Sequence, residues 1–184
     1  MQEDLKLWDE LREFFSTSLE QSVVKRHEAL GEKTTYRSGG ECSIYASVET
    51  IEDLNVIAQR IRGLNIPVAI LGNGSNLLVS DSGFEGLVLH LGDGFKSVSF
   101  EDEMVFAGAG ANLPIVARKS VAAGLTGFEW GVGVPGSIGG AVRMNAGGHG
   151  SDMSKSVRRV QGVDLLTGEI FSLGLDDLNF SYRN

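Results

Sequence analysis

Residues 131–148 read Gly-Val-Gly-Val-Pro-Gly-Ser-Ile-Gly-Gly-Ala-Val-Arg-Met-Asn-Ala-Gly-Gly, and seven of the eighteen are glycine. Glycine at this density lets backbone come close to another surface without side chains intervening. Val, Ile, Ala and Met fill the gaps, so turn punctuation alone does not account for the pattern. An apolar wall bearing one hydroxyl, Ser137, and one amide, Asn145, suits a flat, polar-edged, phosphate-bearing ligand. A second signal is Leu71-Gly72-Asn73-Gly74-Ser75-Asn76-Leu77. Its glycines permit positive φ, and successive N–H groups can then converge on an anion. Asn73, Ser75 and Asn76 add short polar side chains that donate to phosphate oxygens. A tight strand–strand turn explains the same residues, since Asn-Gly is a good turn dipeptide. Neither a Gly-Lys-Ser/Thr nor the spacing of a dinucleotide fingerprint is present.

These loops need elements to hold them. Leu5, Trp8, Leu11, Phe15 and Leu19 recur every three or four residues, which predicts an amphipathic helix over 3–20. Residues 22–42 read as irregular, with a turn at Gly39-Gly40. Residues 43–48 alternate as a strand, 50–62 form a helix opened by Thr50 with Glu52 and Asp53 in its first turn, and 67–71 are a short apolar strand. That is a βαβ unit delivering its chain directly into residues 72–76. Strands are expected at 77–79 and 87–91, around a turn at Asp81-Ser82-Gly83. Beyond Gly92-Asp93-Gly94, the best boundary, come a hairpin over 96–107, a helix over 112–123 capped by Asn112, a second hairpin over 157–173 and a helical turn at 175–178.

The bulk numbers narrow the function. A chain of 184 residues, 42% hydrophobic and 22% charged, is an ordinary globular composition that buries a core without staples. A net charge of −8 opposes broad nucleic-acid binding but not a local anion site made of N–H groups. The single cysteine, Cys42, excludes an internal disulfide and a cysteine-rich zinc site, as expected in a reducing cytoplasm. No apolar run approaches the ~20 residues of a membrane span, and the acidic start Met1-Gln2-Glu3-Asp4 is unlike a signal peptide. No metal site is expected, and Asp176-Asp177 read as solvated or capping. Phe180-Ser181-Tyr182-Arg183-Asn184 stops as if in mid-element.

Together, residues 71–78, Gly124-Leu125-Thr126-Gly127-Phe128-Glu129-Trp130 and 134–150 resemble the flavin-binding part of the UDP-N-acetylenolpyruvoylglucosamine reductase (UDP-N-acetylmuramate dehydrogenase) family. Thr34-Thr35-Tyr36-Arg37-Ser38-Gly39-Gly40 resembles that family's entry to its first strand, so the likeness spans roughly residues 25–184. It implies an α+β, two-subdomain FAD-binding fold of the vanillyl-alcohol-oxidase (PCMH) type. Residues 1–24 would be a helical segment, 25–92 the first subdomain and 93–184 the second. By the same resemblance Gly72, Asn73, Gly74, Ser75, Asn76 and Leu77 would hold the FAD pyrophosphate. Pro135, Gly136, Ser137, Ile138, Gly140, Asn145, Ala146 and Gly147 would line the pyrophosphate and flavin ring.

The resemblance further implies NADPH as reductant and UDP-N-acetylglucosamine enolpyruvate as substrate, in cytoplasmic peptidoglycan precursor synthesis. Ser181-Tyr182-Arg183-Asn184 resembles the family's Tyr-Arg-x-Ser motif, which would make Arg183 the catalytic arginine. A guanidinium, always charged and forked, suits a carboxylate and the charge that develops beside it. The family's proton-donating serine and its glutamate belong to a further substrate domain expected after Arg183, so the 184 residues alone are expected to bind FAD without turnover. Arg143 stands where many relatives carry an aromatic, and Gly148-His149 where Ala-Tyr is common. Two alternatives stay open: another flavin oxidase or dehydrogenase of the same fold, or a non-catalytic nucleotide-binding remnant. Oligomeric state is left open. Val in place of Gly74 or Gly136 is expected to abolish flavin binding and leave the chain folded.

Overall fold

The computed structural model describes residues 2–181 and groups the chain into two compact units. The first comprises Met1–Gly92 with Val163–Ile170, the second Asp93–Gly162 with Phe171–Asn184.

The first unit begins with helix α1, Gln2–Ser18. Its apolar stripe buries Trp8, Leu11 and Phe15, while Leu5 in the opening turn is half exposed. Strand β1, Val23–Ala29, pairs antiparallel with β2, Glu41–Val48. The irregular reading of residues 22–42 is therefore corrected. β1 escapes a hydrophobicity-based reading because two of its inward positions are charged. Arg26 is ion-paired with Asp9, and Glu28 takes Lys33 at 2.6 Å and Lys25 at 3.3 Å. Those cations hold the Glu28 carboxyl below the usual range, Lys33 foremost.

Helix α2, Ile51–Ile61, follows β2, with the Thr50 hydroxyl accepting from the Asp53 N–H at 3.0 Å. Strands β3, Val68–Leu71, and β4, Phe84–Leu91, complete a four-stranded sheet of order β1-β2-β4-β3. β4 lies between β2 and β3 and is parallel to both, so the expected βαβ unit crosses over one strand. One cluster, Leu30, Cys42, Tyr45, Leu71 and Val88, packs on the sheet near the start of the first glycine loop. Each large apolar side chain so buried contributes roughly 1.5–3 kcal/mol.

No strand forms over residues 77–79. Leu77 and Leu78 are exposed, and the segment is tied to Gly39-Gly40 by a single backbone bond, Gly40 N–H to Ser80 O, 2.8 Å. One rung does not make a ladder. Gly83, at φ +81°, supplies the turn expected at Asp81-Ser82-Gly83.

The second unit carries the hairpin β5, Val98–Glu101, with β6, Met104–Ala107. Helix α3, Leu113–Ala122, is capped by the Asn112 side chain, which accepts from the Ile115 N–H at 3.2 Å. The glycine-rich stretch is not continuous bare loop. It contains a 3-10 turn, Glu129–Gly133, a short helix α4, Ile138–Arg143, and a two-residue strand β7, Gly147–Gly148, paired with β8, Ser151–Asp152. Helix α5, Met153–Ser156, and the hairpin β9, Arg159–Val163, with β10, Ile170–Gly174, follow. In the closing helical turn, Asp177 accepts from the Gly174 N–H at 3.0 Å, a capping role. The core here is Leu113, Trp130, Ala141, Met153 and Val157. No helix among the described residues is long and apolar enough to cross a membrane, and no described cluster could hold a metal ion.

Candidate functional site

In the first unit, β3 ends at Leu71 and the chain enters Gly72–Leu77. One carbonyl just before this loop and one within it are held by the protein. The Leu71 carbonyl lies 3.0 Å from His90 Nδ1, and the Gly74 carbonyl accepts from the Thr35 N–H at 3.1 Å. Gly74 sits at φ +63°, where a side chain is strained. A Cβ there would meet the Lys33 carbonyl oxygen at 2.2 Å and Thr34 Cα at 2.8 Å. Gly74 is therefore glycine because the chain's own backbone occupies the space. The N–H groups of Asn73, Gly74, Ser75 and Asn76 meet no hydrogen-bond acceptor among the described residues. Asn73, Asn76 and Leu77 are exposed and Ser75 is half-buried. The loop thus has a carbonyl held by the protein and four adjacent N–H donors left over, the chemistry that an anion can use.

In the second unit, the segment through Pro135, Gly136, Ser137 and Ile138 runs antiparallel to residues 109–113. Leu113 N–H donates to Gly136 O at 3.0 Å, Ile138 N–H to Ala111 O at 2.9 Å and Gly139 N–H to Ala109 O at 2.8 Å. Ser137 is buried and caps α4, its hydroxyl oxygen accepting from the Gly140 N–H at 3.3 Å. The N–H groups of Ile138, Gly139, Gly140 and Ala141 are thus engaged within the protein. Gly136 differs from its neighbours: at φ +141°, a Cβ built on it would meet nothing within 4 Å. Pro135 and Gly140 are exposed beside it.

Asn145, at φ +41°, is buried, and both ends of its amide are used. Its carbonyl oxygen accepts from the Ser154 N–H and its NH₂ donates to the Ser181 carbonyl, each at 3.0 Å. Ala146 is half-buried, and its N–H donates to Ala141 O at 2.8 Å. Gly147 is exposed, and a Cβ there would strike Ser151 O at 2.6 Å, so β7–β8 pairing explains that glycine. Arg183 lies outside the described residues.

His149, exposed and at φ +53°, lines a concavity of ≈ 460 Å³ with Gly127, Glu129, Trp130 and Ser151. Glu129 is held below the usual carboxylate range by its own N–H, by the Thr126 hydroxyl at 2.8 Å and by the Gly127 N–H at 2.7 Å. Sequence reasoning found the loops but missed their supports: Lys33, Thr34 and Thr35 behind Gly74, and His90 behind Leu71. Thr34 and Thr35 open the Thr34–Gly40 motif, but nothing local names the loop as their partner or as that of Lys33 and His90, since they lie about 20 to 40 positions from it and only the fold brings them together.

Residues 42–174 match the family model described as FAD binding domain. UDP-N-acetylenolpyruvoylglucosamine reductase from Heliobacterium modesticaldum is 39% identical over 173 residues, which is 94% of this chain and 53% of the relative. The protein of the same name from Clostridioides difficile is 35% identical over 165 residues, 90% of this chain and 54% of the relative. The chain spans about half the length of the curated relatives it matches. Among solved structures, UDP-N-acetylenolpyruvylglucosamine reductase from Thermus caldophilus aligns with a TM-score of 0.75 at 33% identity, covering 88% of this chain and 56% of that one. The 6-hydroxy-D-nicotine oxidase of Arthrobacter nicotinovorans aligns at a TM-score of 0.60 and 14% identity, covering 87% and 37%, a likeness of fold.

Proposed function

The chain belongs to the FAD binding domain family, and from that premise we propose that it forms the flavin-holding part of a UDP-N-acetylenolpyruvoylglucosamine reductase. Its fold is the α+β FAD-binding fold that this reductase shares with flavin oxidases. The observation that carries the reading is the 39% identity to reductases of that name along nearly the whole chain. In support, the Gly72–Leu77 loop has the chemistry of a pyrophosphate seat: four consecutive N–H groups without described acceptors, on a loop whose Gly74 carbonyl is held by Thr35.

In this reading Asn73–Asn76 bind the FAD pyrophosphate through backbone N–H groups, with Gly72 and Leu77 flanking them. Pro135, Gly136, Ser137, Ile138 and Gly140 offer a side-chain-poor surface for the flavin and pyrophosphate. Ala146 and Gly147 continue it. When bound, FAD supplies hydride transfer, from NADPH to the enolpyruvyl double bond of UDP-N-acetylglucosamine enolpyruvate, giving UDP-N-acetylmuramate. Arg183 is assigned by its motif to the substrate carboxylate, where a guanidinium offsets the charge that develops on reduction. The setting proposed is cytoplasmic peptidoglycan precursor synthesis, and hence cell-wall growth, shape and division. No residue of the 184 is assigned the protonation of the second carbon, so the chain assayed alone is expected to bind FAD without reducing substrate.

The test is the visible spectrum of the purified chain after addition of FAD and gel filtration, followed by NADPH oxidation with the UDP-sugar. Retained flavin bands without substrate-dependent turnover are expected. A colourless chain overturns the cofactor assignment, and sustained turnover overturns the assignment of protonation elsewhere. A covalent flavin adduct in the mass spectrum would favour the oxidase alternative.

A further inference from the structure

His90 lies on β4 opposite Leu71 of β3, at the last paired position before β3 gives way to the glycine loop. A carbonyl only accepts, so the 3.0 Å contact between His90 Nδ1 and the Leu71 oxygen requires the hydrogen to be on Nδ1. The imidazole thus adds one further bond at the end of the ladder. Its ring is stacked on buried Tyr45, centroids 6.1 Å apart and planes at 21°. Tyr45 is covered in turn by the Lys33 ammonium, 5.1 Å from its ring centroid, and Lys33 is paired with Glu28. The carbonyl of that same Lys33 fills the space beside Gly74. The loop is therefore gripped at two points by one connected cluster: Leu71 through His90, and Gly74 through Lys33, Thr34 and Thr35.

We infer that His90 is a positioning residue for the anion-binding loop: its Nδ1–H fixes the Leu71 carbonyl, and with it the direction in which the N–H groups of Asn73–Asn76 are presented. Without that bond the Leu71 carbonyl keeps only its place in the ladder with β4, and the first peptides of the loop beyond it are held less firmly. The donors then lose the common orientation that makes them a site, although their identities are unchanged. This inference rests on the proposed pyrophosphate role of the loop.

The experiment uses the 184-residue chain and two probes, FAD and riboflavin, which lacks the pyrophosphate. His90→Phe keeps a ring against Tyr45 and removes the donor, whereas His90→Asn restores an N–H near the Nδ1 position. His90→Phe is expected to weaken FAD about tenfold, equivalent to about 1.4 kcal/mol, and to leave riboflavin binding unchanged. His90→Asn is expected to recover most of the loss. Unchanged FAD affinity in His90→Phe, or His90→Asn as weak as His90→Phe, overturns the positioning role. If the parent chain binds FAD no more tightly than riboflavin, the pyrophosphate reading itself fails, a different result from a failure of His90 alone. Should His90→Phe not fold, ¹⁵N spectra of the parent imidazole at alkaline pH decide: the Nδ1–H tautomer supports the assignment, and the Nε2–H tautomer overturns it.

Discussion

Gly74 and Gly136 look alike in the sequence and differ in kind in the structure. A side chain on Gly74 would run into the Lys33 carbonyl at 2.2 Å, while one on Gly136 would enter space open to 4 Å. The donors differ in the opposite sense. Around Gly74 the N–H groups have no described acceptor, whereas just beyond Gly136 those of Ile138–Ala141 are all engaged within the protein. The first loop is thus rigid at its glycine and receptive in its donors. The second is satisfied in its donors from Ile138 to Ala141 and bare at its glycine. A loop of the first kind suits hydrogen bonding to an anion, and one of the second kind suits contact with the face of a flat group.

The largest expected effect breaks the first loop. Gly74→Val combines a side chain at φ +63° with a collision against backbone that cannot swing away. The expected loss is roughly 3–5 kcal/mol of folding stability, measured by urea denaturation. The expectation that this variant stays folded, drawn from the sequence, is therefore replaced by one of unfolding. A Gly74→Val chain as stable as its parent would show that the Lys33 contact can yield.

Gly136→Ala tests the other side. Only the φ of +141° opposes the new methyl, so the cost is about 1–3 kcal/mol. The chain should fold and lose at least tenfold in FAD affinity, read by flavin fluorescence titration. Equal FAD binding in a folded Gly136→Ala chain would remove the distinction between the loops, because the open space would then serve no ligand.

Asn145 sharpens the contrast within the second unit. Its amide is engaged by Ser154 and Ser181, so its first role is to tie the Ser181 segment to α5. Asn145→Ala should cost about 1–3 kcal/mol, the price of an unsatisfied buried partner plus a lost bond. Hydrogen exchange at Ser154 should rise with it. Intact protection there, with lost flavin affinity, would return Asn145 to a direct cofactor role.

Much of this was legible in advance where local chemistry decides. Thr50 and Asn112 cap the helices they precede, and Leu11 and Phe15 fall on the buried stripe of α1. β1 was illegible because its inward Arg26 and Glu28 are ion-paired with Asp9 and Lys33, residues distant from the strand or beyond it. The apolar run Leu77-Leu78-Val79 predicted a strand that the fold does not form, because an apolar run records a preference for burial and not the presence of a partner strand. Glycine content singled out both stretches, and at Gly74 and Gly147 the chain's own backbone does come close. It could not say what approaches: Lys33 at Gly74, open space at Gly136, Ser151 at Gly147. Those distinctions arise only when distant segments are brought together.

Alkaline pH offers the mildest test, and it separates the two units. Burial pushes the Cys42 thiol up to about 11 and the Tyr45 phenol up to about 12, and both belong to the first unit. An acid whose folded pKa is raised keeps its proton while the unfolded chain has already released it. Between the ordinary thiol value and about 11 the unfolded state therefore binds fewer protons, and stability falls as pH rises. The first unit should lose on the order of 1 kcal/mol by pH 10, seen as faster hydrogen exchange in β2 and β4. The shift resolved in the second unit, at Glu129, is downward and contributes nothing in that range. Cys42→Ala should flatten the profile of the first unit and leave the second unchanged. Equal alkaline softening of both units would mean that burial around Cys42 and Tyr45 does not set the stability of the sheet that carries the first glycine loop.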